Sequence, residues 1–274
     1  MVFTHIVVRY GEIFLKGKNR NVFENQLLKN IKEITGLRKI SNLRCRYVFP
    51  YVDNHADLRK VFGLVSYSNC VRVDKKLDLI KKAASDLLKD KIGSFRVEVK
   101  RADKTFPGNS PEIAMEIGQH IESTTKATFT YGSPEITLGV EINLDGAYLF
   151  LEKVPCRGGL PTGVEGKVIL IVENKASILA GILFMKRGTS LIVAVTEDQD
   201  LSLLEKYNPS SLAVKRITNL SELEVLGKEE KINVLVSGQT FETYKEYSSE
   251  MIIFRPLISF SKERIEKEIA ELSS

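Results

Sequence analysis

Three stretches of the chain hold residues with the types and spacing to do chemistry. The first runs Arg9-Tyr10-Gly11-Glu12-Ile13-Phe14-Leu15-Lys16-Gly17-Lys18-Asn19-Arg20, where Arg9, Lys16, Lys18, Asn19 and Arg20 surround two glycines between a strand-like and a helical segment. Cations over a helix N-terminus hold phosphate through side-chain charge and backbone donors together. The second, Lys100-Arg101-Ala102-Asp103-Lys104-Thr105-Phe106-Pro107-Gly108-Asn109-Ser110, interleaves Lys100, Arg101 and Lys104 with Phe106 and runs into Ser110. Lys and Arg meet phosphates, an aromatic ring stacks on an unpaired base, and a serine caps a helix or donates. The plainer readings are a solvated basic loop and a capped helix with a charged approach. The third stretch, GKVILIVENKASILAGILFMKRG at residues 166–188, is a strand, a tight loop and a helix, an order that usually sets backbone N–H groups around a phosphate. Its loop, Glu173-Asn174-Lys175-Ala176, has no glycine and opens on a carboxylate. A carboxylate about 4 Å from a phosphate charge costs on the order of 4 kcal/mol at an effective dielectric near 20.

The elements that must position these stretches follow from periodicity. His5–Arg9 reads as a strand. Phe23, Leu27, Ile31 and Ile34 recur at helical spacing before Gly36, and residues 44–52 read as a strand again. A short helix around Leu58 and Phe62 is followed by a strand over 64–73, an amphipathic helix over 77–88 and a strand over 95–100. Ser110-Pro111-Glu112 is a helix opening: a serine cap, a proline in the first turn and an acid at the positive end. Strands at 135–143 and 147–153 flank the turn Leu144-Asp145-Gly146. The Gly/Pro-rich run at 156–163 reads as a linker. Beyond it, strands near 168–172, 191–195, 232–236 and 251–254 alternate with helices, which predicts a parallel three-layer α/β domain.

The bulk numbers narrow the partners. The 274 residues suit about two domains. Residues 1–50 hold 10 Lys/Arg against 3 Asp/Glu, residues 51–155 hold 15 of each, and residues 156–274 hold 15 against 17. All of the excess positive charge therefore lies in the first fifty residues, where a polyanion would be met. No apolar run approaches the roughly 20 residues of a membrane helix, and the N-terminus lacks a signal-peptide layout, so no membrane partner and a cytoplasmic location are expected. Cys45, Cys70 and Cys156 are scattered, as are His5, His55 and His120, so neither disulfides nor a metal centre are expected.

VVRYGEIFLKGKNRNVFE, RVEVKRADKTFPGNSPEI, and LEKV followed by GGLPTGVEGKVILIV resemble the tRNA 4-thiouridine sulfurtransferases, a family also linked to thiamine biosynthesis. The resemblance implies a ferredoxin-like domain at 1–53, a THUMP domain at 54–155, a linker at 156–163 and a PP-loop-type, Rossmann-like α/β domain at 164–274. It implies tRNA as partner, with the two basic stretches holding the acceptor stem and 3′ end, and family members often act as homodimers. In that family the PP-loop domain adenylates a uridine with ATP and magnesium, and a cysteine persulfide supplies the sulfur. Its phosphate loop resembles SGGxDS followed by proline, then a helix ending in Lys-Arg-Gly. Counting back from Lys186-Arg187-Gly188, the serine falls on Val172, the glycines on Glu173 and Asn174, the aspartate on Ala176 and the proline on Ile178; only Ser177 keeps its type. The loop is thus a degenerate PP-loop. No cysteine follows Cys156, and an end at Ser274 leaves an appended rhodanese-type domain unexpected.

The leading expectation is a tRNA-binding protein in tRNA modification, with no catalytic residue, no cofactor, and the α/β domain a cover or a docking face for a separate tRNA-modifying enzyme. The alternative is an active ATP-dependent tRNA sulfurtransferase with an external sulfur donor. In that reading Glu173, Asn174, Ser177, Ser237 and Gln239 line a nucleotide pocket and Lys175 reaches phosphate as a point charge. A third reading is a protein scaffold that meets no RNA.

Overall fold

The computed structural model describes residues 2–43 and 46–273, with only the backbone of Phe14. Arg44 and Cys45 lie outside the described residues. In chain order come β1 (His5–Tyr10), a kinked 3-10 segment (Glu12–Asn19), α1 (Arg20–Thr35), β2 (Ser41–Leu43), β3 (Arg46–Pro50), a second 3-10 segment (Asp53–Lys60) and β4 (Leu64–Val73). Then follow α2 (Leu77–Leu88), β5 (Gly93–Arg101), α3 (Ser110–Thr124), β6 (Ala127–Phe129), β7 (Ile136–Asn143), β8 (Gly146–Phe150) and β9 (Val154–Pro155). The remainder is β10 (Lys167–Val172), α4 (Lys175–Lys186), β11 (Ser190–Val195), α5 (Ser202–Tyr207), β12 (Ala213–Arg216), α6 (Glu222–Glu230), β13 (Val234–Ser237), β14 (Ile252–Phe254) and α7 (Lys262–Ser273).

Two compact units result. One comprises Met1–Tyr10, Arg38–Ala56 and Val65–Pro155. Its strands form a single mixed sheet in the order β2-β3-β1-β4-β8-β7-β5-β6, with β9 also paired to β4. The helix α3 buries Ile113, Ile117 and Ile121, one residue per turn, in a cluster with Ile80, Ala84 and Leu88 of α2 and Phe95, Leu138, Val140 and Ile142 of the sheet. On β1, β3, β4 and β8, Val7, Val48, Cys70, Tyr148 and Phe150 form a second buried cluster.

The other unit comprises Gly11–Leu37, Asp57–Leu64 and Cys156–Ser274. Its five-stranded sheet is parallel throughout, ordered β12-β11-β10-β13-β14. The β-branched runs of β10 and β11 are buried on both faces, as parallel strands are. One face is covered by Leu179, Ile182 and Met185 of α4, Leu204 of α5 and Ile265 of α7, the other by Leu223 and Leu226 of α6. This is the three-layer α/β architecture the alternating pattern predicted. Strand order reverses between β10 and β13, so the loops after these two strands flank the crevice where open α/β sheets bind ligands. The fully exposed edge strand β12 escaped the sequence reading because AVKR alternates nothing.

The run at 156–163 lies along this second unit as a hydrogen-bonded strap. Gly158 N–H donates to Leu64 O, Leu160 N–H to Lys186 O and Gly163 N–H to Gly188 O. Gln26 and Asn30 of α1 both donate to Thr162 O. Gly159 has φ +80° and packs so closely on the Lys186 carbonyl that no Cβ fits.

Candidate functional site

In the first unit residues 102–109 are a folded loop between β5, which ends on Lys100 and Arg101, and α3, which opens on Ser110. Asp103 is 2% exposed. Its Oδ1 accepts from Thr105 N–H at 2.9 Å and from Thr105 Oγ1 at 2.7 Å, and its Oδ2 accepts from Lys75 Nζ at 2.6 Å. Those bonds hold its carboxyl down to a pKa of about 2. The Arg101 guanidinium turns inward, donating through Nη1 to Phe106 O at 2.7 Å and to Gly108 O. Phe106 is 8% exposed and sits in the core with Ile113 and Ile117, so its ring is not a free stacking platform. The cap of α3 is Asn109 rather than Ser110: Asn109 Oδ1 accepts from Glu112 N–H and Glu112 Oε2 accepts from Asn109 N–H, each at 3.0 Å, a complete capping box. Lys100 and Lys104 remain exposed.

Arg9 belongs to the same unit and is 7% exposed. Its Nε donates to Glu141 Oε1 at 2.8 Å, its Nη1 to Ser68 Oγ at 3.0 Å, and its guanidinium lies 4.7 Å over the Phe150 ring. Arg46, paired with Arg9 across β1 and β3, donates to the other Glu141 oxygen at 3.0 Å. Burial alone pushes the Glu141 carboxyl up; the two guanidinium charges outweigh it and hold it below its ordinary value. Arg9 therefore stitches the sheet together from within the unit.

In the second unit the other basic stretch is the 3-10 segment leading into α1. Lys16 donates to Glu165 Oε1 at 3.0 Å and lies 4.5 Å over the Phe23 ring. Arg20 pairs with Glu24 at 2.6 Å. Lys18 and Asn19 are exposed, and Asn19 makes no side-chain cap, which leaves the first N–H groups of α1 uncapped by its side chain.

The loop between β10 and α4 of the same unit is hydrogen-bonded to its own side chains. Asn174 caps α4, its Oδ1 accepting from Ala176 N–H at 2.9 Å and Ser177 N–H at 3.2 Å, the donors a phosphate would use. Ser177 Oγ accepts from Glu173 N–H at 3.2 Å. Glu173 Oε2 accepts from the Tyr247 hydroxyl at 2.7 Å, and that hydroxyl shares a 3.1 Å hydrogen bond with Ser237 Oγ. Burial, then donation to Glu173, pushes the Tyr247 phenol up to about 12. Gln239 accepts from Arg255 Nε at 2.9 Å. A Cβ on Gly238 would fall 2.5 Å from the Ala176 carbonyl carbon, so the loops after β10 and β13 rest directly on each other. Lys175 lines two cavities of about 490 and 510 Å³ on either side of the α4 start. Two backbone donors at the α4 start are thus taken by Asn174, and the neighbouring Glu173 carboxylate is tied to Tyr247. Sequence reasoning missed Tyr247 and Lys75, whose partners lie 74 and 28 residues away and leave no local signal. No group of metal-ligating side chains and no helix long and apolar enough to cross a membrane occurs among the described residues.

Residues 5–68 match the ThiI ferredoxin-like domain and residues 74–152 the THUMP domain. The chain is 36% identical over 211 residues to the probable tRNA sulfurtransferase of Natranaerobius thermophilus, covering 70% of this chain and 51% of that one. It is 39% identical over 205 residues to the protein of the same name from Macrococcus caseolyticus, covering 70% and 51%. The chain thus spans about half the length of the curated relatives it matches. Among solved structures, PH1313 from Pyrococcus horikoshii Ot3 aligns with a TM-score of 0.86 at 25% identity, over 99% of this chain and 100% of that one. A 4-thiouridine synthetase in complex with RNA and bound ATP aligns with a TM-score of 0.83 at 25% identity, over 99% of this chain and 85% of that one.

Proposed function

For a chain that carries a ThiI ferredoxin-like domain and a THUMP domain and is related to the tRNA sulfurtransferases, we propose the function of a cytoplasmic tRNA-binding protein whose own phosphate loop no longer takes ATP. The observation that carries the reading is Asn174, whose side chain satisfies the two N–H groups at the α4 start that a phosphate needs. Tyr247 supports it by holding the Glu173 carboxylate beside them. Lys18, Lys100 and Lys104 supply exposed charge for the RNA backbone. The α/β unit then serves as a rigid cover or a docking face for the enzyme that does the chemistry.

Filter binding of tRNA across a salt series tests the RNA half. Each phosphate contact releases about 0.7–0.9 counterions, so several contacts give a log–log slope of several units, and a flat line ends the reading. Calorimetry with ATP and magnesium tests the other half. The closed loop predicts no magnesium-dependent heat, whereas tight binding favours an active sulfurtransferase fed by an external sulfur donor.

A further inference from the structure

We propose that Asp103 is the positioning residue of the RNA contact in the β5–α3 loop, and that Lys100 and Lys104 meet phosphate while neither Asp103 nor Arg101 touches RNA. The inference rests on the tRNA-binding reading above and assigns roles within that surface.

The loop is held at its start, middle and far side, and Lys104 projects from it, with Lys100 just before it on β5. At its start, Ala102 and Asp103 N–H groups both donate to Ile142 O, at 2.9 and 3.2 Å. In the middle, the Asp103 carboxylate takes both Thr105 donors and so sets the turn that carries Lys104. Its second oxygen takes Lys75, which ties the turn between β4 and α2 against the loop. At the far side, Arg101 grips the carbonyls of Phe106 and Gly108, Phe106 anchors in the core, and the Asn109–Glu112 box closes onto α3. Lys100, Lys104, Thr105 and Asn109 are the polar side chains left exposed.

A carboxylate within a loop that meets a polyanion opposes binding on charge alone. Here it is buried and neutralised by Lys75, so what it contributes is shape. A preformed loop spares the ordering cost that a mobile one meets on binding. Simple electrostatics and positioning therefore predict opposite signs for the same substitution.

The experiment is filter binding of unfractionated tRNA by the full chain at fixed salt, with thermal unfolding of each variant alongside. Asp103→Asn removes a negative charge, yet it is expected to weaken binding about tenfold. Thr105→Val changes no charge and is expected to act in the same direction; being exposed, it carries the test if Asp103→Asn fails to fold. Lys104→Gln is expected to cost about fivefold alone and less than twofold in either variant background, because a misplaced lysine has little contact left to lose. Wild-type or tighter binding by Thr105→Val or a folded Asp103→Asn, or costs that simply multiply with Lys104→Gln, overturns the positioning role alone. Absence of salt-dependent binding by the unmodified protein overturns this role and the tRNA reading together.

Discussion

Glu141 is a carboxylate in the middle of a sheet, and two guanidiniums make that tolerable. Replacing it with glutamine leaves the Arg9 charge buried without a counter-ion, a situation that costs about 3–5 kcal/mol. Urea unfolding of Glu141→Gln measures the loss, and a change under 1 kcal/mol contradicts the assignment. The pH dependence has a definite sign. The Glu141 and Asp103 carboxyls both have folded-state pKa values below their ordinary ones, so their contributions are complete above the ordinary carboxylate range and fade as pH falls. For Asp103 the loss extends down to about pH 2, and an acid titration of Asp103→Asn is expected to lack that component. Sequence alone placed Arg9 among the phosphate contacts because it stands in a basic stretch. Its partner lies 132 residues away, beyond any local pattern. Phe106 misled in the same manner: an aromatic among cations reads as a stacking ring, and only the packing of α3 reveals it as core.

At the scale of elements, the first turn of α4 is capped by the side chain of Asn174. Asn174→Ala removes its cap and is expected to destabilise the protein by about 1 kcal/mol in thermal or urea unfolding. Gly238→Ala places a methyl against the backbone of that turn, and neither side is a flexible side chain that can yield. Its expected result is a larger loss than the cap deletion, read in the same assay. The parallel strands were legible because β10 and β11 carry unbroken apolar runs rich in Val and Ile, and the amphipathic α2 because its apolar spacing is regular. The cap was not: the helix reads from Ser177, while the structure starts it at Lys175, since a polar first turn carries no apolar period. The absence of paired glycines was legible, whereas the tyrosine that holds Glu173 in place was not.

Along the sequence the charge is divided unevenly, with the excess of cations in the first fifty residues and a slight excess of acids after residue 155. The sequence order of the elements was largely readable, but the joining of eight strands into one path was not, because it depends on pairing β1 with β4 and β4 with β8. That joined sheet has a practical consequence for anyone cutting the molecule. A fragment limited to the THUMP match at 74–152 retains Glu141 and discards both Arg9 and Arg46. Such a piece keeps a carboxylate stripped of both cationic partners and of the strands β1 and β3 that carry them, and it is expected to unfold at lower urea than the intact chain.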